Sequence, residues 1–527
     1  MKNPRLIYYN DAHHFHAKRI DPPLNLHKMR WPVDDVIGSG VELLVFGLGY
    51  GDVYFHNSKI GRVVGQAKEV WESFIDWRIM RMVKDAREMG TDQLHEVIKH
   101  GQEMGMPVAC SLKMNNTHAP GANRCGWLRW EKGAEVCLRE PPEEWAYDYT
   151  NELVRQHKQA MIREVLEDYE ANGIELDFMF RPPFFRKAEV EQGIPLMNKF
   201  VAEVRQMANE IGEKQKREIT VMARVFHKKE ANLEVGLDVE AWLKAGCLDF
   251  VVGQVSATLF ETGIVDGRWL ADAANAAGAA AYLRPAHIVY DERTIFPHIE
   301  MFRALRQTLA WQGFAGMYLG YLPWPFSQDQ YQILREVAYP EVTARHDKRY
   351  ILQPREGEPT EAGDRRNASG PTNRQLPVEL DEEETAVIKI IVADELDSAR
   401  RDGEMREPIL TIRFSNFCIE DEVEIRFNGT VLPIETAEIT DERATRILAK
   451  FRSPIDAPEA FGGYWFRYRL NVEMLKQGEN TLEVETRKLT ETAGFARSVN
   501  GVEIQTRYKD LVRPEGLNIE RIAPTAP

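Results

Sequence analysis

Cysteine is scarce in this chain. The five residues (Cys110, Cys125, Cys137, Cys247 and Cys418) are odd in number and none forms a C-x-x-C pair, which argues against a disulfide framework and against a structural zinc knuckle. Long apolar runs are missing as well: no stretch approaches the ~20 residues of a membrane helix. The opening MKNPRLIYYND has no apolar core of a secretory signal. The expectation is a cytoplasmic protein, or a periplasmic or extracellular one whose signal has been removed. Positive charge is in deficit, with 67 Lys+Arg against 82 Asp+Glu and a net charge of −15. Phosphate backbones and anionic membranes demand clustered cations, so neither nucleic acid nor membrane is an expected partner. What remains is ordinary globular material. Hydrophobic residues are 43% and charged residues 28%, which excludes a disordered chain, and 527 residues suffice for two to four domains.

Texture divides the chain. Residues 1–345 alternate short apolar runs with long amphipathic stretches. The runs are 6–10, 41–48, 106–114, 173–180, 218–226, 248–255, 280–289 and 313–322, and helical patterns fill 71–105, 148–172, 187–216, 266–278 and 293–312. Eight such repeats predict a (β/α)8 TIM barrel. Its least typical part is the first helical segment, 20–40, which is short and contains proline; a doubly wound sheet is the alternative. Residues 346–384 are polar and rich in Pro, Gly and charge, and read as a linker or surface segment. Residues 385–508 hold short β-rich runs separated by turn residues such as Asn428-Gly429, predicting an antiparallel β-sandwich. Residues 509–527 read as a tail.

In a barrel of this kind chemistry gathers where the strands end. The fourth run is the most informative. Along Gly173-Ile174-Glu175-Leu176-Asp177-Phe178-Met179, period-2 geometry puts Glu175, Asp177 and Met179 on one face and the large apolar residues on the other. The apolar face packs under helices, so the carboxylates point into the barrel, where they are costly unless paired or used. Glycoside cleavage needs two carboxyl groups, one to protonate the leaving oxygen and one to attack the anomeric carbon or activate water. Asp177 is the expected nucleophile or base, with Glu175 beneath it. Asp291, Asp52, Glu292 and Asp11 are the candidate proton donors. Other polar residues expected around a substrate are His14, Asn115, His118, Arg181, Arg224, His227, Gln254, Tyr290 and Trp324. The arginines can pair with the acids or bind a substrate carboxylate or sulfate. Trp127, Trp130 and Trp145 lie in a long aperiodic segment, 115–147, of the kind that usually serves function.

Histidines support a rival. His14 and His16 follow the first run and His227 follows the fifth, as in a metal-dependent amidohydrolase barrel. The rest of that pattern is missing: no Lys follows the fourth run, no His the sixth and no clear Asp the eighth. A non-catalytic carbohydrate-binding protein is a further alternative. The expectation is therefore a carbohydrate substrate, no cofactor and no metal. The sandwich could carry homo-oligomer contacts, substrate contacts or neither.

The segment GIELDFMFRPPFF at 173–185 resembles bacterial glycosyl-hydrolase-like (β/α)8 proteins distantly related to the family-10 glycoside hydrolases. Similar features are IYYND at 7–11, MIREVLEDYEANGIELDF at 161–178, GLDVEAWLKAGCLDFVV at 236–252 and WQGFAGMYL at 311–319. LKQGENTLEVE at 475–485 looks like the jelly-roll sandwiches often appended to glycosidases. The resemblance covers most of 1–340 and implies a barrel that cleaves carbohydrate. Two features depart from true family-10 enzymes: no Asn-Glu pair ends the fourth run, and no clear Glu ends the seventh.

Overall fold

Each apolar run of the N-terminal region becomes a strand. In the computed structural model these are β1 (Leu6–Asn10), β2 (Leu43–Gly47), β3 (Val108–Lys113), β4 (Gly173–Asp177), β5 (Thr220–Phe226), β6 (Phe250–Gln254), β7 (Ala280–Arg284) and β8 (Gly316–Gly320). They close in the order β1-β8-β7-β6-β5-β4-β3-β2, and every pairing is parallel. The fold is a (β/α)8 TIM barrel followed by an antiparallel β-sandwich. The structure describes residues 3–509 apart from 67, 69, 142, 256–259, 264–265, 288, 290–295, 354–374 and 442–462.

Strand parity sorts the barrel's two cores. Ile7, Tyr9, Val45, Met222, Phe250, Val252, Tyr282 and Tyr318 pack with one another inside the ring. Their neighbours in sequence, among them Tyr8, Leu44, Val221, Ala223 and Val251, pack outward under the helices. On β4, Ile174 and Leu176 join that outer core, which leaves Glu175 and Asp177 facing inward. The alternation read from the sequence therefore holds.

The helices that cover the ring are α1 (Leu26–Asp34), α2 (Phe74–Glu88), α3 (Gln93–Met104), α4 (Glu152–Asp168), α5 (Val190–Gln215), α6 (Val239–Lys244), α7 (Arg268–Ala276), α8 (Ile299–Trp311) and α9 (Gln328–Glu336). The pattern expected over 71–105 is two helices, α2 and α3. Gly90 at φ 76° stops the first. The Asp92 side chain then caps the second by accepting from the His95 N–H at 2.9 Å. The short first segment is helical for nine residues, capped by Asn25 and carrying Pro32 inside.

The sandwich has a larger sheet of β9 (Lys348–Leu352), β10 (Val378–Glu379), β12 (Met405–Ser415), β15 (Glu438–Asp441), β16 (Gly463–Arg469) and β18 (Ser498–Tyr508). Its smaller sheet holds β11 (Thr385–Val392), β13 (Glu422–Phe427), β14 (Thr430–Leu432) and β17 (Gly478–Lys488). Asn428 (φ 50°) and Gly429 (φ 82°) form the turn of the β13–β14 hairpin, the doubly left-handed turn that Asn-Gly favours. Part of the segment read as a linker is built into this unit. β9 pairs with β18 along its whole length. Buried Lys348 lies 3.2 Å from Asp394, which also accepts from the hydroxyls of Tyr350 at 2.8 Å and Tyr508 at 2.7 Å.

β9 also ties the sandwich to the barrel. The Thr262 hydroxyl, in the loop after β6, accepts from the Ile351 N–H at 2.8 Å. Gln353 donates to the Phe260 carbonyl. Arg349 meets Glu300, in the first turn of α8, at 3.1 Å.

Candidate active site at the barrel mouth

β4 meets cations on both flanks. Its register sets Asp177 beside Lys113 of β3 and beside Arg224 of β5. Arg224 Nη2 is 2.5 Å from Asp177 Oδ2, and its Nε is 3.4 Å from Glu175 Oε1. Asp177 Oδ1 accepts from the Met179 N–H at 3.0 Å. Glu175 lies one layer deeper and accepts from the Ser111 hydroxyl at 2.6 Å. Burial raises the Glu175 pKa, Arg224 works against that, and the neighbouring Asp177 adds to the rise. The two acids thus share one guanidinium in a nearly sealed layer, with Asp177 nearer the mouth.

Asp11, just past β1, supplies a third acid. Its carboxylate accepts from the His14 N–H at 2.8 Å and the Tyr321 hydroxyl at 3.1 Å, and pairs with His14 Nδ1. Burial pushes its pKa up, but His14 and Lys113 overcome this and hold the carboxyl well below the usual range. Lys113 feels both Asp11 and Asp177; burial dominates and lowers its pKa. The backbone is strained at this rim. Ala12 (φ 55°), Arg181 (φ 59°) and Tyr321 (φ 59°) hold left-handed conformations beside β1, β4 and β8, which cost about 1–3 kcal/mol each and gather at functional sites.

Gln254 at the end of β6 links the acids to a further cation: its Oε1 accepts from Arg224 Nη1 at 3.2 Å and from Arg284 Nη1 at 2.5 Å. The fold thus brings together Glu175, Asp177, Arg224 and Gln254, with Asp11 bonded to His14 and Tyr321 and lying in the field of Lys113. Lys113, Tyr9 and Tyr321 were not among the candidate residues. The parity rule applied to β3 finds Lys113, since Ala109, Ser111 and Lys113 alternate with buried apolar residues.

Other candidates sit elsewhere. Asp52 is sealed between Lys158 at 3.2 Å and Arg129 at 3.5 Å; burial raises its pKa, and those two cations reverse the shift. Asn115 is fully buried and organises its loop, donating to the Pro183 carbonyl at 2.6 Å and accepting from the Tyr147 N–H at 2.8 Å. His118 pairs with Asn116, and burial, then Arg124, pushes its pKa down to about 4. Arg181 lies 5.9 Å from the Phe180 ring. Tyr290, Asp291 and Glu292 lie outside the described residues. Trp127 and Trp130 pack on Arg62, 5.7 and 4.7 Å from its guanidinium.

The trio of the metal-dependent rival does not assemble as expected. His16 is buried with Nδ1 on the Ala12 carbonyl at 2.9 Å, and His227 is buried with Nδ1 on the Gln254 carbonyl at 3.2 Å. A different group does converge among the described residues: Asp11, His13 and His14 offer ligand atoms within 4.8 Å of one another.

Trp324 donates to Asp35 Oδ2 at 3.1 Å. Burial raises the Asp35 pKa to about 6, against the pull of Arg19. This acid therefore costs stability as pH rises from the ordinary carboxylate range through about 6. Asp35→Asn keeps an acceptor for Trp324 and is expected to stabilise the protein by about 1 kcal/mol at neutral pH. Melting curves should show the gain vanishing below about pH 4, where the unfolded chain is protonated too.

No known protein family matches the chain, and no curated protein does. Solved structures resemble it in shape. A cycloisomaltooligosaccharide glucanotransferase from Paenibacillus sp. is 9% identical over 95% of this chain and 57% of its own, with a TM-score of 0.36; the chain thus spans little more than half of that enzyme's length. A maltogenic α-amylase from Thermotoga neapolitana is 11% identical over 67% and 80%, at 0.36. The PgaB (BpsB) glycoside hydrolase domain from Bordetella bronchiseptica is 12% identical over 64% and 98%, at 0.40. At such identities and scores none of these likenesses carries its activity to this chain. No helix among the described residues is long and apolar enough to cross a membrane.

Proposed function

We propose that this protein is a glycoside hydrolase that cleaves a poly- or oligosaccharide at the barrel mouth, with Asp177 as nucleophile or base. The observation that carries the reading is the Asp177 carboxylate, fixed by Arg224 at 2.5 Å inside a closed ring of strands. A carboxylate so positioned is what attack on an anomeric carbon, or on a water beside it, requires. Ser111 donates to Glu175, and Glu175 holds Arg224 and with it the geometry of Asp177. The leaving oxygen needs a proton from a second rim group. Among the described residues, His14 is placed to supply it: its side chain is 36% exposed and its Nδ1 is paired with Asp11, which fixes the orientation of the ring. Asp291 and Glu292 follow β7 in the sequence and share candidacy for the role. The distant kinship with family-10 enzymes and the jelly-roll character of the sandwich belong to the same proposal.

Screening the purified protein against a glycan panel, with reducing ends as readout, should release sugar from at least one substrate; silence across the panel would sink the hydrolase reading. Where the partner is a carboxyl group, as Asp291 or Glu292 would be, NMR of the first product then reports its distance from Asp177, since retention requires carboxyl groups about 5 Å apart and inversion about 6.5–9.5 Å. The convergence of Asp11, His13 and His14 favours a second reading, a hydrolase dependent on a divalent metal. Stoichiometric metal in the purified protein, with activity lost to a chelator and restored by the ion, would select it.

A further inference from the structure

The mouth holds more cations than its acids use. Arg224 is engaged by Asp177 and Glu175, and Lys113 donates to the Gly49 carbonyl at 3.0 Å between Asp11 and Asp177. Arg124, Arg181 and Arg284 are different: among the described residues no carboxylate lies within ion-pair distance of any of them. Their guanidiniums rest instead on aromatic faces, Arg124 at 3.7 Å from the Tyr50 ring, Arg284 at 4.9 Å from Tyr321 and Arg181 at 5.9 Å from Phe180.

Those rings place the arginines on the site. Tyr321 donates to Asp11 and stands 5.1 Å from the His14 ring. Tyr50 stacks on His13 at 4.3 Å. The Phe180 ring also carries Lys113, at 4.5 Å. Arg284 spends one nitrogen on Gln254, the residue that also holds Arg224. In a chain of net charge −15, a rim whose arginines have no carboxylate partner among the described residues departs from the surrounding charge. A neutral sugar gives such a rim nothing to pair with. A guanidinium fork matches a carboxylate or sulfate by two parallel hydrogen bonds.

We infer that the sugar recognised here carries an anionic substituent, a carboxylate or a sulfate, bound by Arg284 and Arg124 beside Asp177. This rests on the glycoside hydrolase reading and names its substrate class. The two guanidiniums supply the attraction, and the tyrosine rings beneath them hold the guanidiniums in place.

The test is equilibrium binding to the full chain, followed by NMR titration with glucuronate, glucose 6-sulfate and glucose. One or both anionic sugars should bind at least about tenfold more tightly than glucose, as expected for a charge-assisted pair, and added salt should erode the difference. Comparison of the two anionic arms decides between carboxylate and sulfate. R284Q and R124Q should each cut the preference severalfold, and R284K should restore part of it, with circular dichroism checking that every variant is folded. Equal binding of glucose, or an undiminished preference in both folded glutamine variants, overturns the inference. Anionic preference without sugar release from the panel overturns the hydrolase reading and leaves the recognition standing; release from neutral glycans alone, with no preference, does the reverse.

Discussion

Asp177→Asn is expected to lower turnover by at least about a thousandfold, as loss of a reacting carboxylate does, while the protein stays folded. Asparagine is nearly isosteric. Its Oδ1 can still accept from the Met179 N–H, and Arg224 keeps a carboxylate in reach because Glu175 lies 3.4 Å from its Nε. Part of what raises the Glu175 pKa is the charge on Asp177. Removing that charge makes Glu175 easier to ionise, so the lower acid takes over neutralisation of the guanidinium. The melting temperature should therefore fall by only a few degrees. Steady-state rates on the best panel substrate, beside a circular-dichroism melt, separate the two effects. Near-normal turnover would remove Asp177 from the chemistry, and collapse of the fold would make it a structural anchor.

Arg224→Met should produce the largest loss of stability, about 3–5 kcal/mol near neutral pH, because it strips the counter-ion from two buried carboxylates. Methionine fills part of the volume without charge. In the variant, burial and the neighbouring Asp177, no longer opposed by Arg224, hold the folded-state pKa of Glu175 further above that of the unfolded chain. At a pH below the ordinary carboxylate range both states are protonated and the penalty is small. As pH rises the unfolded chain ionises freely and the folded one resists, so the deficit grows. Urea unfolding at about pH 4.5 and pH 8 should show it widening with pH. A deficit independent of pH would mean that Arg224 acts by packing alone. Turnover should fall with the geometry of Asp177 even under conditions where the variant remains folded.

Much of the barrel was legible because a parallel strand covered on both faces reads as a near-continuous apolar run. All eight runs became strands, and the alternation of acids in β4 told which face they take. Other features depend on partners remote in sequence. Asp52 looks like a rim acid until Lys158 of α4, 106 residues on, closes over it. β9 was hidden among charged residues because the sheet that buries it ends at Tyr508. Its own composition, Lys-Arg-Tyr-Ile-Leu, is ambiguous alone. The service of Arg224 to both acids requires knowing that β5 lies beside β4. The left-handed backbone at Ala12, Arg181 and Tyr321 carries no local signal, since none of these residue types favours φ above zero. Lys113 was legible by the same rule: the alternation that turns Asp177 inward on β4 also turns Lys113 inward on β3 beside it.

The attachment through β9 has a bearing on how the two halves behave together. Thr262 and Phe260 belong to the loop that leaves β6 just beyond Gln254; Thr262 is held by Ile351 of the first strand of the sandwich and Phe260 by Gln353 directly after it. Glu300 fastens the same strand to the start of α8. An accessory module on a free tether can swing to sample polymer; this one is fastened by these contacts to the segments that follow the sixth and seventh strands of the ring. A shift of Phe260 or Thr262 when a ligand arrives would therefore break these bonds or carry β9 with it. Cutting the chain before Lys348 would unseat that loop as well as delete a strand.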